Sequence, residues 1–128
     1  MAGLRKILLV EDNFELRRIY ELFLKQHDFE IATAVDGEDG LRVAKEFRPD
    51  LILLDVMMPK MDGFQALKIL RHDPEYGCTK AKIVIFTNLG DASKVSPSVR
   101  EDMDGYVIKA EIELPDILDI IKSLEHTP

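Results

Sequence analysis

Cysteine is almost absent: Cys78 is the single one in 128 residues. No internal disulfide can form, and a reducing compartment is the natural home for such a chain. Long apolar runs are missing too, since nothing approaches the ~20 residues needed to cross a bilayer. The N-terminal Met1-Ala2-Gly3-Leu4-Arg5-Lys6 leads into a short apolar run and lacks the long h-region of a secretory signal. The expectation is a soluble, cytoplasmic protein with no membrane partner. Basic residues are in deficit, 17 against 24 acids, which leaves a net charge of −7 and a pI near 4.9. Binding to phosphate backbones needs a basic face, so nucleic acid is disfavoured as this chain's own partner. A cation site, or a partner with a basic surface, suits the balance better. Linkers, internal repeats and low-complexity segments are also missing. With 46% hydrophobic and 32% charged residues, residues 1–128 are expected to form one domain around a single good core.

What the chain does have is a stretch around which the rest is organised, Leu51-Ile52-Leu53-Leu54-Asp55-Val56-Met57-Met58-Pro59. Four bulky apolar residues run straight into one carboxylate. A short continuous apolar run reads as a strand buried on both faces, as in parallel sheets. Arg5 to Val10 is a similar strand, closed by Glu11-Asp12-Asn13, with Asn13 suited to N-cap the next segment. Leu16, Ile19, Tyr20, Phe23 and Leu24 then recur at helical spacing. Phe29 to Ala34 is a second strand, and Asp36-Gly37 opens a helix carrying Leu41, Ala44 and Phe47. Arg48-Pro49 ends that helix, because a residue before proline avoids the right-handed helical region. Phe64, Leu67 and Leu70 stripe a third helix, and His72 through Lys80 reads as a polar connection.

Lys82 to Phe86, ending at Thr87, is a fourth strand and Gly105 to Ile108 a fifth. Leu114, Ile117, Leu118, Ile121 and Leu124 stripe a last helix, with Pro115 in its first turn. Between Thr87 and Gly105, Pro97 forbids one long helix. A short helix from about Pro97 to Asp102, N-capped by Ser96, is expected after a looser Leu89 to Val95. Strands alternating with helices give an α/β fold, a doubly wound five-stranded parallel sheet with helices on both faces.

In the flavodoxin-like order 2-1-3-4-5, strands one and three lie side by side, and ligands bind outside the carboxyl ends of the strands. Glu11 and Asp12 end the first strand and Asp55 the third. Two like charges ~4 Å apart repel by roughly 4 kcal/mol at an effective dielectric of 20, so the cluster calls for a cation. An all-oxygen set with room for waters suits Mg²⁺, and Mn²⁺ as well. His27, His72 and His126, at helix ends or in the tail, lack metal-ligand spacing and read as surface residues. Thr87 and Lys109 end strands four and five, placing a hydroxyl donor and an ammonium beside the carboxylates. A metal, a lysine, a hydroxyl donor and an unliganded carboxylate oxygen are what phosphoryl transfer to a carboxylate requires. Positioning and charge neutralisation matter more there than acid–base catalysis.

Four pieces in order now carry a resemblance: Leu8-Leu9-Val10-Glu11-Asp12-Asn13; Leu53-Leu54-Asp55-Val56-Met57-Met58-Pro59-Lys60-Met61-Asp62-Gly63-Phe64; Thr87; and Gly105-Tyr106-Val107-Ile108-Lys109. From about Arg5 to Leu124 the chain resembles the receiver domain of the two-component response regulators. The resemblance implies that Asp55 accepts a phosphoryl group from a phosphohistidine on a sensor histidine kinase or histidine phosphotransfer protein. Asp12 would bind Mg²⁺ directly, Glu11 through water, and Asp55 and the Met57 carbonyl would join them. Lys109 and Thr87 would hold phosphoryl oxygens. Tyr106 would be the switch aromatic, turning inward as Thr87 moves, and would remodel the face formed by the fourth helix, fifth strand and fifth helix. The output would be a downstream protein or an effector domain outside this chain, and the same face could pair two copies as a homodimer. Such a domain catalyses only its own phosphorylation and dephosphorylation.

Three departures from the family's pattern stand out. Ala110 follows Lys109 where a proline after a cis peptide is usual; a cis bond before alanine costs ~2.5–4 kcal/mol, so a trans peptide and a slightly displaced Lys109 are expected. Asn88 replaces a small residue, where its amide would crowd or hydrogen-bond the phosphoryl group. Met57 and Leu89 flank the path of the hydrolytic water and cannot polarise it, so slow self-dephosphorylation is expected. One competing reading is a pseudo-receiver, the same fold used as an interaction module without phosphorylation. Another is a haloacid-dehalogenase-type phosphatase, which would want an acid where Met57 stands.

Overall fold

The apolar runs pair side by side. A computed structural model describes residues 3–57, 61–88 and 95–125. It has five parallel strands, β1 (Lys6–Val10), β2 (Glu30–Ala34), β3 (Leu51–Leu54), β4 (Lys82–Thr87) and β5 (Gly105–Ile108), in the order β2-β1-β3-β4-β5. Helices α1 (Phe14–Gln26) and α5 (Leu114–Glu125) cover one face, and α2 (Gly37–Phe47) and α3 (Gly63–His72) the other, with the short α4 (Pro97–Arg100) beyond them.

Alternation within each strand explains the unbroken hydrophobicity. Ile7, Leu9, Leu51, Leu53, Val84 and Phe86 pack with Tyr20, Leu24, Ile117 and Ile121. Leu8, Val10, Ile52, Leu54, Ile83 and Ile85 point the other way, toward Leu41, Ala44, Leu67 and Leu70. Both faces are dry, so polar residues stand only at the ends of the central strands, at Lys6, Lys82 and Thr87. Each such side chain contributes about 1.5–3 kcal/mol by leaving water.

The helix starts follow local chemistry. Asn13 Oδ1 accepts from Leu16 N at 3.0 Å and Asp36 Oδ1 from Asp39 N at 2.9 Å. Asp62 caps α3 by accepting from Phe64 N at 2.8 Å. Arg48 ends α2 in the left-handed region at φ 51°.

Several expectations are corrected. The first two strands begin one residue later than expected, at Lys6 and Glu30. Ile19 does not join the core; it is 46% exposed, because α1 buries only Tyr20 and Leu24 fully. The connection after His72 is not simply polar, since Pro74–Tyr76 form a 3-10 turn and Cys78 is fully buried. α4 stops at Arg100, and Ser96 precedes it without a side-chain cap; its Oγ lies 3.2 Å from that of Ser98 instead. A 3-10 turn at Lys109–Glu111 follows β5. The expected loose segment from Leu89, the motif residues Met58, Pro59 and Lys60, and His126 lie outside the described residues, apart from Val95, which is buried.

Candidate functional site

Sheet register brings the strand-end residues together. Val10 is opposite Leu54, Leu54 opposite Ile85, and Thr87 opposite Ile108. Glu11, Asp55 and Lys109, each one residue past Val10, Leu54 and Ile108, therefore reach the same edge as Thr87, the last residue of β4. Asp55 N still donates to Val10 O (3.1 Å) and Glu11 N to Ala34 O (3.0 Å), which extends the ladder one step past the strands.

Asp55 is buried, and three donors converge on its carboxylate. Thr87 Oγ1 donates to Oδ1 at 2.7 Å, Met57 N–H to the same oxygen at 2.9 Å, and Lys109 Nζ to Oδ2 at 2.8 Å. Lys109 also donates to Glu11 Oε1, and Glu11 Oε2 accepts from Asn13 N–H at 3.1 Å. Burial alone would lower the Lys109 ammonium's pKa; its hydrogen bonds to Asp55 and Glu11 outweigh that and raise it. Burial pushes the Glu11 carboxyl up, against the opposing pull of Lys109 and the Asn13 amide.

Asp12 stands at the exposed rim. One carboxylate oxygen each from Glu11, Asp12 and Asp55 lie within 4.8 Å of one another. Three acids face a single ammonium, so the cluster could hold a metal ion, and an all-oxygen donor set matches a hard divalent cation.

Every described residue proposed for the site except Tyr106 and the Met57 side chain is drawn into this one crevice. The Met57 side chain is 56% exposed. Tyr106 pairs with Ile85 one step back along β5 and borders a cavity of about 330 Å³ shared with Val95, Arg100 and Met103. His27 leans on the Phe23 ring, and exposed His72 bonds Asp102 rather than any metal cluster. The Lys109–Ala110 peptide is trans, yet Lys109 still reaches Asp55. Asn88 Oδ1 accepts from Ala110 N–H at 3.0 Å, so that oxygen faces the Lys109 loop and not a phosphoryl group.

Sequence reasoning missed three supports. Arg17 Nη1 donates to Glu11 O at 2.9 Å. The Phe86 ring lies 5.9 Å under the Lys109 ammonium, with Tyr20 edge-on to that ring at 5.1 Å. Phe86 and Tyr20 had read as core alone, because an apolar position carries no sign of the charge above it.

Fold and site together define a doubly wound α/β domain with an acidic cluster and a lysine at its topological switch point. Residues 7–122 match the model of the response regulator receiver domain, and the chain belongs to that family. It is 31% identical over 121 residues to the chemotaxis protein CheY of Halobacterium salinarum, covering 94% of this chain and 96% of that protein. It is 38% identical over 103 residues to the transcriptional regulatory protein AfsQ1 of Streptomyces coelicolor, covering 80% of this chain but only 44% of that relative. The chain thus spans less than half the length of some of the curated relatives it matches. The crystal structure of the response regulator TrrA of Thermotoga maritima, in complex with Mg(2+)-BeF, superposes with a TM-score of 0.79 at 26% identity, covering 94% of this chain and 99% of that one. Among the described residues no helix is long and apolar enough to cross a membrane.

Proposed function

We propose that this chain is a phospho-acceptor signalling domain that takes a phosphoryl group from a phosphohistidine of a sensor kinase or phosphotransfer protein onto Asp55. The observation that carries the reading is the Asp55 carboxylate held between three donors on one side and two further acids on the other. An Asp55 oxygen attacks phosphorus, a P–O bond forms, and the imidazole nitrogen keeps the electron pair of the P–N bond that breaks. The attacking carboxylate is already an anion, so no general base is needed. Lys109, already aimed at Asp55, takes up a phosphoryl oxygen, and the Thr87 hydroxyl takes another. Glu11, Asp12, Asp55 and the Met57 carbonyl would hold Mg²⁺. When bound, the ion neutralises charge on the transferring group.

Thr87 is the residue that links chemistry to output. Exchanging its bond to Asp55 for one to a phosphoryl oxygen draws the end of β4 toward the site. Tyr106, next to the cavity under α4, can then repack inward, which shifts the population of the α4–β5–α5 face. On the other side of the crevice, α1 begins directly after Asn13 and exposes Phe14 (66%), Ile19 (46%) and Leu22 (48%). These exposed apolar side chains, on a helix that starts beside the site, suit contact with a phosphodonor protein.

Intact mass after incubation with Mg²⁺ and acetyl phosphate tests the reading. The parent should gain one phosphoryl group, and Asp55→Asn or chelated parent should gain none. No gain in the parent would favour a phosphorylation-independent interaction module instead.

A further inference from the structure

Asn88 and Ala110 depart from the receiver pattern separately, but in the fold they are partners. The β4–β5 ladder ends at Thr87 and Ile108. Lys109 therefore lies just past the last paired position, in a 3-10 turn closed by Ile112 N–H on Lys109 O at 3.4 Å. Among the described residues a cross-strand bond continues beyond the ladder, from Ala110 N–H to Asn88 Oδ1 at 3.0 Å. The donor is a backbone N–H, so the carboxamide oxygen must be the atom facing it. A proline at position 110 would have no such N–H. The side chain at 88 and the amide at 110 thus form one device, each useless without the other.

Its place gives it a role. On β4, Thr87 holds Asp55 Oδ1 at 2.7 Å, and the next residue holds the loop whose lysine bonds Asp55 Oδ2 at 2.8 Å. We infer that Asn88 is a positioning residue: through the Ala110 amide it sets the Lys109 loop so that the ammonium meets the group on Asp55, and it makes Thr87 and Lys109 move as one unit. This rests on the phospho-acceptor reading and deepens it. Asn88 and Ala110 are both exposed, so water competes for the bond and its value lies in geometry more than in stability.

The test compares the parent with Asn88→Ala and Ala110→Pro, using acetyl phosphate and Mg²⁺ as probes. Asn88→Ala should speed exchange of the Ala110 amide proton and slow phosphorylation about fivefold, the worth of one hydrogen bond. Mg²⁺ affinity should not fall, because the acids stay in place and a displaced Lys109 competes less for Asp55 and Glu11. In the Ala110→Pro background, Asn88→Ala should change nothing further. An unchanged phosphorylation rate in Asn88→Ala overturns the proposal, as does an equal fall in rate and Mg²⁺ affinity. If the parent takes no phosphoryl group, the acceptor reading fails, and the Lys109 side-chain nitrogen resonance then decides alone. A shift in Asn88→Ala upholds the positioning role, and identical spectra end it.

Discussion

Lys109 Nζ lies 2.8 Å from Asp55 Oδ2 across 54 residues of sequence, and the same nitrogen bonds Glu11. One buried cation thus answers two buried acids. Removing it leaves both carboxylates uncompensated, a loss of about 3 kcal/mol for a buried pair broken on one side. Lys109→Met should show that loss in urea unfolding with chelator present. Added Mg²⁺ should restore more stability to the variant than it adds to the parent.

Gly63 lets α3 begin against the end of β3. A Cβ there would fall 2.4 Å from Val56 Cα and 2.6 Å from Asp55 O, both backbone atoms that yield only if the loop moves. Gly63→Ala should cost about 2–3 kcal/mol as overpacking. Its phosphorylation by acetyl phosphate should fall further than the folded fraction does, because the displaced atoms adjoin Asp55, the proposed acceptor.

Arg71 ties α3 to the far end of the sheet. Its guanidinium donates to the Asp102, Thr79 and Ala81 carbonyls and to Asp104 Oδ2, at 2.8–3.0 Å. A lysine cannot reproduce a planar fork with donors on three nitrogens. Arg71→Lys should therefore lose nearly as much stability as Arg71→Ala, about 2–3 kcal/mol for several partners left unmet. Thermal unfolding of the two variants side by side checks this.

Cys78 is fully buried, and burial raises its thiol pKa above 9.0. Below that value, folded and unfolded chains both carry the proton. Above it the unfolded chain loses the proton first, so stability falls as pH rises until the folded thiol ionises too. The parent should lose this increment as pH rises above 9.0 relative to Cys78→Ala, and its native thiol should resist disulfide reagents at neutral pH.

Met57 offers a hydrolytic water no polar partner from its side chain. Phospho-Asp55 should accordingly outlast a minutes-scale decay, followed by intact mass after donor removal. Loss within minutes would show that another group activates the water.

Local rules carried much of this protein. The unbroken apolar runs ending in Val10, Leu54 and Phe86 declared strands buried on both faces, because a period of two with both sides dry leaves no polar position. The cap at Asn13, the helix opening at Asp36-Gly37, the stop at Arg48-Pro49 and the strand-end placement of Glu11, Asp12, Asp55, Thr87 and Lys109 were legible for the same reason: each depends on neighbours a few residues away. What tertiary structure decided are contacts across tens of residues. Ile19 fits the helical stripe of α1, yet the width of the face against the sheet leaves it in water. Folding alone brings three carbonyls and Asp104 around Arg71 at the end of α3. Asn88 and Ala110 stood out singly, but their hydrogen bond exists only because β4 and β5 pair in parallel and end together. Sequence sets which residues reach a strand's end; the order and register of strands set which of them meet.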